Sequence, residues 1–404
     1  MNKMNLSNKT ISNLLTIRYD PSSIPEKEFF SYKDFETKFS DPNGTATQNL
    51  LETSIKTSIP QNETTISVSL SGGIDSTLCL ALLRKTFPKK RIISFCGVFG
   101  EGFDESSVAR KIASDFDSDF KIVKMDSIFT NMPEIISITN KPRWNTYTHL
   151  IAKNAKKFSN ILVTGDGADE LFGGYVFRYS KFLNMTKPSD GWKKKVLNYL
   201  ECHNRDWVSD QENIFTKKTK FRWNTIHQYF KSYFNNSLDP LKQVMLADLN
   251  GKLLQDFIPT GKSISQHYRI NNVPIFLDQN LIRFALKLPI SQKFDKKNDK
   301  GKLILRKLTK KLKVNHMDEK KGFSPSLHLD WKKNGRMICN SYLLDSNAII
   351  YKKKIINEKW VKHALNIIDN DGDIRYLNRI ISVLALEIWF KIFVTKELKK
   401  SSKL

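Results

Sequence analysis

Two short stretches carry the residue types that can hold a nucleotide. The first is Ser71-Gly72-Gly73-Ile74-Asp75-Ser76, which follows the β-branched run Ile66–Leu70 and opens an apolar-periodic stretch, Thr77–Leu83. Strand, glycine turn and helix in that order make a phosphate cradle. The glycines let backbone N–H groups approach phosphate oxygens, Ser71 and Ser76 add hydroxyl donors, and the positive end of the helix faces the same point. An acid inside such a cradle repels its ligand unless a cation lies between them, so Asp75 is the natural ligand for Mg2+. The spacing and the Gly-Lys-Ser/Thr ending of a Walker A loop are absent. A plain glycine turn capped by serine is the bland alternative, and the strand–loop–helix context argues against it.

The second stretch is Val163-Thr164-Gly165-Asp166-Gly167-Ala168-Asp169-Glu170-Leu171-Phe172-Gly173-Gly174-Tyr175, which again ends a strand-like run. Three carboxylates, Asp166, Asp169 and Glu170, fall within five residues and repel one another without an opposing positive charge. Strand C-termini of a parallel sheet lie along one edge, so this loop can face the first. Asp75 and Asp169 would then hold Mg2+ on a departing pyrophosphate. A structural acidic turn is the competing explanation.

The elements that must position these loops follow a repeating rhythm. Leu50, Leu51, Ile55 and Ile59 recur at helical spacing before Pro60, then come the strand Ile66–Leu70 and its helix. A strand over Arg91–Phe99, a helix over Glu105–Phe116, a helix over Thr148–Phe158 and a strand over Asn160–Gly165 continue the alternation. That pattern predicts an α/β fold with a parallel sheet and helices on both faces. Beyond about residue 180 no strand run is visible, and Leu281–Leu288, Lys302–Leu312 and Asp373–Phe393 read as helices. The expected organisation is an N-terminal arm over 1–46 and one large unit over 47–404. That unit divides into an α/β core (47–180) and a helical, basic part (181–404). Leu14–Phe30, broken by prolines, reads as an ordered extended arm.

Composition narrows the setting. No apolar run reaches the roughly 20 residues a membrane span needs, and Ile380–Val394 is interrupted by Glu387 and Lys391. MNKMNLSNKT lacks an apolar signal-peptide core, and four scattered cysteines form no CxxC pair, which points to a reducing, cytoplasmic setting. The net charge of +25 is uneven: residues 1–150 carry 18 Lys+Arg against 17 Asp+Glu, the remainder 48 against 24. RNA is a possible partner for that basic half, although its clusters sit in no recognisable nucleic-acid module and a solvated lysine-rich surface is favoured.

Taken together, SGGIDS and VTGDGADELFGGY resemble the synthetase domain of the asparagine synthetase family, whose relatives include β-lactam synthetase and lasso-peptide cyclases. Further segments are similar: Leu14–Phe30 to the family's interdomain linker, PIFLDQNLIRFALKLP (274–289) to its PFLD segment, and GKLILRKL (301–308) to its LR element. EKKGFSPS (319–326) resembles its K-x-G-F element, and LALEIWFKIF (384–393) its closing helix. The resemblance implies an adenine nucleotide α-hydrolase-like, pyrophosphate-loop fold with a mainly helical C-terminal part. It implies an ATP- and Mg2+-dependent, AMP-forming ligase that adenylates a carboxylate, aspartate being favoured, and transfers ammonia or another amine to it. By the same resemblance Leu70, Ser71, Gly72, Gly73, Asp75, Ser76, Thr164 and Gly165 bind the nucleotide, with strand Ile92–Phe99 under the adenine. Asp166 is the catalytic acid beside the acyl-adenylate, and Lys320, with Lys321 as near rival, stabilises charge at the reacting phosphate. Arg143, 23 residues before Asp166, holds the acceptor's carboxylate.

Two departures bear on the substrate. The chain begins Met-Asn and leaves no room for a glutaminase domain before Gln48, so the nitrogen is expected from free ammonia, a separate glutaminase or another amine. Where the family has S-x-E-x-R-x-P, this sequence reads SISQHYRINNVP, with His267 at the glutamate's place as a base near neutral pH or a structural histidine. Amide or lactam closure on a specialised metabolite or peptide, tRNA modification by an SGGxDS enzyme, and a scaffold that keeps only the fold are the alternatives.

Overall fold

The structure is a computed structural model that describes residues 5–23, 25, 29–100, 104–203, 208–314 and 326–404. Its centre is a five-stranded, all-parallel sheet: β1 (Thr65–Ser69), β2 (Arg91–Phe99), β3 (Asp119–Met125), β4 (Ile161–Thr164) and β5 (Asn271–Pro274), in the order β3-β2-β1-β4-β5. The chain winds outward from β1 to β3, then returns to add β4 and β5 on the other side. The winding direction therefore reverses between β1 and β4, where α/β sheets open a crevice at their carboxyl edge.

The helices of the first half are α1 (Asn8–Ile17), α2 (Thr45–Ser58), α3 (Ile74–Thr86), α4 (Ser106–Asp115), α5 (Met132–Thr139), α6 (His149–Ala155) and α7 (Ala168–Phe172), of which α3, α4 and α6 pack on the strands. The later chain is mainly helical and ends on Ile374–Phe393. One buried cluster joins β1, α2 and α3 to the C-terminal segments around Phe276 and Leu305. A second gathers Ile11, Leu15 and α5 around the last helix. A third, with Ile93, Leu162, Ile151 and Ile264, lies between the sheet and two helices, α6 and Ile258–Tyr268.

Two expectations are corrected. A strand does exist beyond residue 180: β5 pairs with β4, Leu162 opposite Asn272. Its sequence, Asn-Asn-Val-Pro, is polar and ends in proline, as suits an edge strand with one unpaired side. The other edge, β3, alternates charged and apolar residues and was equally inconspicuous. The arm is not wholly extended, because residues 8–17 form a helix capped by the Ser7 hydroxyl, which accepts from Thr10 N at 3.0 Å, and bury Ile11 and Leu15. Further on, Asn250 clasps the arm by accepting from Phe30 N (2.8 Å) and donating to Phe30 O (2.7 Å).

Two sequence features now have structural reasons. Glu387 interrupts the last apolar helix because its buried carboxylate accepts the amides of Ile349 (3.1 Å) and Ile350 (3.0 Å). The four cysteines are buried thiols. Among the described residues no helix is long and apolar enough to cross a membrane.

Candidate active site

The loops after β1 and β4 meet across the crevice. In the first, Ser76 turns its hydroxyl back onto the loop, donating to Gly73 O (3.1 Å) and accepting from Ser71 N (3.1 Å). Gly72 takes a left-handed φ of 74°, and Gly73 is the N-cap of α3, so Asp75 stands in that helix's first turn. In the second loop, Thr164 Oγ1 donates to Asp166 Oδ2 at 2.9 Å. A Cβ on Gly165 would lie 2.9 Å from the Asp75 Cβ. Glycine at 165 is what lets the two loops close on each other.

Asp75 and Asp169 converge on a single cation. Lys302 Nζ lies 2.5 Å from Asp75 Oδ2 and 2.5 Å from Asp169 Oδ1. The lysine is placed by its backbone: Lys302 N donates to Phe172 O (2.9 Å), its φ is 57°, and Gly301 packs directly on Gly173. Gly174 leaves no room for a Cβ beside Asp169 and the Lys302 side chain. The two glycines of the GGY sequence thus admit the strap that carries the lysine. Burial works against the ammonium, but Asp75 and Asp169 more than offset it, so its pKa is raised.

These residues line a cavity of about 240 Å³. Leu70, Ser71, Asp75 and Ser76 come from the first loop, and Thr164, Gly165, Asp166 and Asp169 from the second. Gly97 of β2 closes one side, Ile264 and Asn272 the other. Eight of the residues marked in the sequence are therefore brought together, with Gly72 and Gly73 shaping the turn behind them. Lys320 and Lys321 lie outside the described residues.

Arg143 sits elsewhere. It forms a buried ion pair with Asp256, which Arg18 also approaches at 3.8 Å, in a small crevice that includes Lys141 and Thr260. The helix Ile258–Tyr268 and the turn before it divide the two spaces. Phe257, Gly261, Ile264 and Ser265 face the main cavity, while Asp256, Pro259, Thr260 and Ser263 face the crevice. His267 lies on the exposed side of that helix with its ring against Tyr268. Asn272 occupies the cavity instead.

Three residues in or beside the cavity carried no clear mark in the sequence. Lys302 sits in the quoted GKLILRKL but is one of many lysines. Asn272 lies on an unrecognised strand. Glu170, buried in the acidic loop, accepts a 2.5 Å hydrogen bond from Tyr175 Oη, and burial pushes its pKa up to about 7 although Lys252 pulls the other way. The PFLD-like segment is architectural: Leu277 fills the space beside Gly167, and Asp278 caps the following helix by accepting from Asn280 N (2.9 Å) and Leu281 N (3.0 Å).

A parallel sheet reversing between β1 and β4, with a glycine–serine cradle on one and an acidic loop on the other, defines an adenine nucleotide α-hydrolase-like, pyrophosphate-loop protein. Residues 46–391 match the asparagine synthase family profile, and the chain belongs to that family. It is 24% identical over 364 residues to the glutamine-hydrolyzing asparagine synthetase 1 of Bacillus subtilis, covering 81% of this chain and 56% of that protein. A putative glutamine-hydrolyzing asparagine synthetase of Mycobacterium tuberculosis is 36% identical over 120 residues, 28% of this chain and 18% of that one. The chain thus spans about half the length of the Bacillus relative. Among solved structures, the U34-tRNA thiolase NcsA of Methanococcus maripaludis aligns at 17% identity over 56% of this chain and 80% of its own, with a TM-score of 0.25. The NH3-dependent NAD synthetase of Campylobacter jejuni aligns at 13% over 49% and 96%, with a TM-score of 0.24.

Proposed function

We propose that this chain is an ATP-dependent amide-forming ligase that activates a carboxylate as its adenylate and passes it to ammonia or another amine. The observation that carries this reading is the convergence of Asp75 and Asp169, from two facing strand-end loops, on one positive charge. A cradle for the β,γ-phosphates with carboxylates at its mouth leaves the α-phosphate as the atom presented to the crevice.

The residues support a two-step sequence. An acceptor carboxylate oxygen attacks the α-phosphorus, the bond to the bridging oxygen breaks, and pyrophosphate leaves with that electron pair. Backbone N–H groups of 71–76, with the Ser71 and Ser76 hydroxyls, hold the departing phosphates. The amine nitrogen then attacks the acyl carbon, AMP leaves with the C–O electron pair, and the nitrogen sheds a proton. Asp166, which accepts a hydrogen bond from Thr164, would position the amine and accept that proton.

Mg2+ fits the donor set. The Asp75 and Asp169 carboxylates already meet at one cationic group, Lys302 Nζ, and Mg2+ takes one or two carboxylates and completes its shell with phosphate oxygens and water. Asp75 and Asp169 would hold it, and bound there it would supply neutralising charge to the leaving pyrophosphate. Aspartate is the reference acceptor suggested by the relatives' names. Incubating the chain with ATP, Mg2+, a carboxylate panel and ammonia tests the proposal: AMP and pyrophosphate are expected, and ADP with inorganic phosphate as products would overturn it.

A further inference from the structure

The strand order fixes the order of subsites along the cavity. On the ligase reading, phosphates belong at the loop after β1 and the nucleoside on the β2 side, where Gly97 meets the cavity. The reacting centre is at Asp166, after β4. What remains is the end beyond β4, between β5 and the helix Ile258–Tyr268, and this is where the acceptor's body must lie.

That end has a definite chemistry. Its walls are Gly261, Ile264, Ser265, Ile270 and Asn272. Asn272 stands opposite Leu162 in the β4–β5 ladder, so its side chain shares the sheet face on which Ile151, Ile264 and Ile270 pack. Its Oδ1 is buried without a hydrogen-bond partner among the described residues. A buried, unsatisfied carbonyl oxygen set among isoleucines is costly unless a ligand supplies the missing donor. Gly261 leaves open space in front of it, since a Cβ there would come no nearer than 3.6 Å, to Asn272 Nδ2. Among the described residues lining this cavity there is no arginine, lysine or histidine. Arg143, the sequence's candidate for a second carboxylate, is held by Asp256 on another face of the same helix segment.

We infer that the acceptor is a monocarboxylic acid whose remainder is uncharged and largely apolar, carrying one N–H or O–H donor that meets Asn272 Oδ1. Asn272 is the residue that sets this specificity. An amino-dicarboxylate such as aspartate would bring a second carboxylate into an apolar pocket that no cation faces among the described residues, a burial that is strongly unfavourable. The inference rests on the adenylating-ligase reading, and its test separates the two.

The experiment is ATP–pyrophosphate exchange by the purified full chain with Mg2+, using aspartate, two neutral acids with a donor (mandelate, N-acetylleucine) and two without (phenylacetate, isocaproate). The donor-bearing acids are expected to exceed aspartate in kcat/KM by about a hundredfold, and their donor-free counterparts by about tenfold, the worth of one satisfied buried hydrogen bond. Asn272→Leu should raise KM for mandelate or N-acetylleucine about tenfold, with the KM for ATP unchanged. Asn272→Asp, which keeps the acceptor oxygen, should retain the preference for donor-bearing over donor-free acids. Exchange that is fastest with aspartate, or an acid preference untouched by Asn272→Leu, overturns the inference and leaves the ligase reading standing. Absence of exchange with every acid overturns both.

Discussion

Replacing Lys302 by methionine tests whether the two loop carboxylates depend on one charge. In the native chain the lysine, Asp75 and Asp169 side chains are 12%, 11% and 34% exposed, so one carboxylate is deeply buried and the other partly wet. Removing one partner of a buried pair costs about 3–5 kcal/mol, and discounting the exposed Asp169 brings the expected loss to about 2–4 kcal/mol. At roughly 1.2 °C per kcal/mol for a chain of this size, the melting temperature should fall by about 2–5 °C. The sign with pH follows from the raised lysine pKa. Its contribution is complete below the unfolded value of 10.5 and is lost only as pH rises through the higher folded value, so the native protein is flat across neutral pH in this respect. In Lys302→Met the carboxylates that have lost the ammonium regain stability as they protonate, so the deficit should shrink toward acid pH. Millimolar Mg2+ should also restore more of the melting temperature in the variant than in the native chain. Differential scanning calorimetry over pH, with and without Mg2+, measures both. A variant that melts with the native protein at pH 7 and ignores Mg2+ would refute the idea that the pair needs a cation.

The remaining predictions concern single residues. Asp75→Asn and Asp169→Asn should each lower turnover at least about a hundredfold with the circular dichroism spectrum preserved, and near-native Mg2+-dependent activity in either removes it from the metal site. Asp166→Ala should still exchange pyrophosphate into ATP yet form little amide, a split seen by comparing exchange with product yield; equal losses in both place Asp166 in adenylation instead. Gly165→Ala should destabilise by about 1–3 kcal/mol, because the new methyl meets Asp75 at 2.9 Å, and urea melts read this directly. Lys293 is 1% exposed, and burial, with Lys242 adding to it, pushes its amine down to about 7. Unfolding lets it take a proton anywhere below its ordinary 10.5, so the cost is greatest below pH 7 and vanishes above 10.5. Lys293→Met should therefore stabilise the chain by a few kcal/mol at pH 6 and by little at pH 10.5, and an opposite pH trend in melting would exclude a neutral buried lysine.

What could be read from the residues was whatever repeats locally. The runs at 66–70 and 91–99 announced central strands because both faces of each are buried and β-branched residues fill them. The two nucleotide loops were visible because glycine and acid spacing is a local property. Edges were harder: Asp119–Met125 and Asn271–Pro274 carry polar residues because a neighbour on one side suffices. The arm misled through its prolines, which start at Pro21, after Ser7 has capped a helix ending at Ile17. In the site, Lys302 and Asn272 escaped notice for a shared reason. Lys302 meets two loops, and Asn272 a strand, more than a hundred residues earlier in the chain, and no local spacing records those partnerships. Arg143 shows the converse, since counting from Asp166 identified a position but could not reveal that Asp256 would claim the side chain.

The distance in sequence between the acidic loops and Lys302 has a consequence for how the protein is made. A ribosome releases the glycine–serine cradle and Asp169 well before it reaches Lys302, and β4 before its outer neighbour at 271–274. The nascent chain therefore carries, for more than a hundred residues of synthesis, a sheet with an unpaired inner edge and opposed carboxylates without their counter-ion. Such an intermediate is prone to strand-to-strand association and invites chaperone capture. It also cannot assemble the Lys302-bridged mouth of the crevice until the strap that carries the lysine arrives. Birth order, in this fold, keeps an incomplete chain from presenting a finished active site.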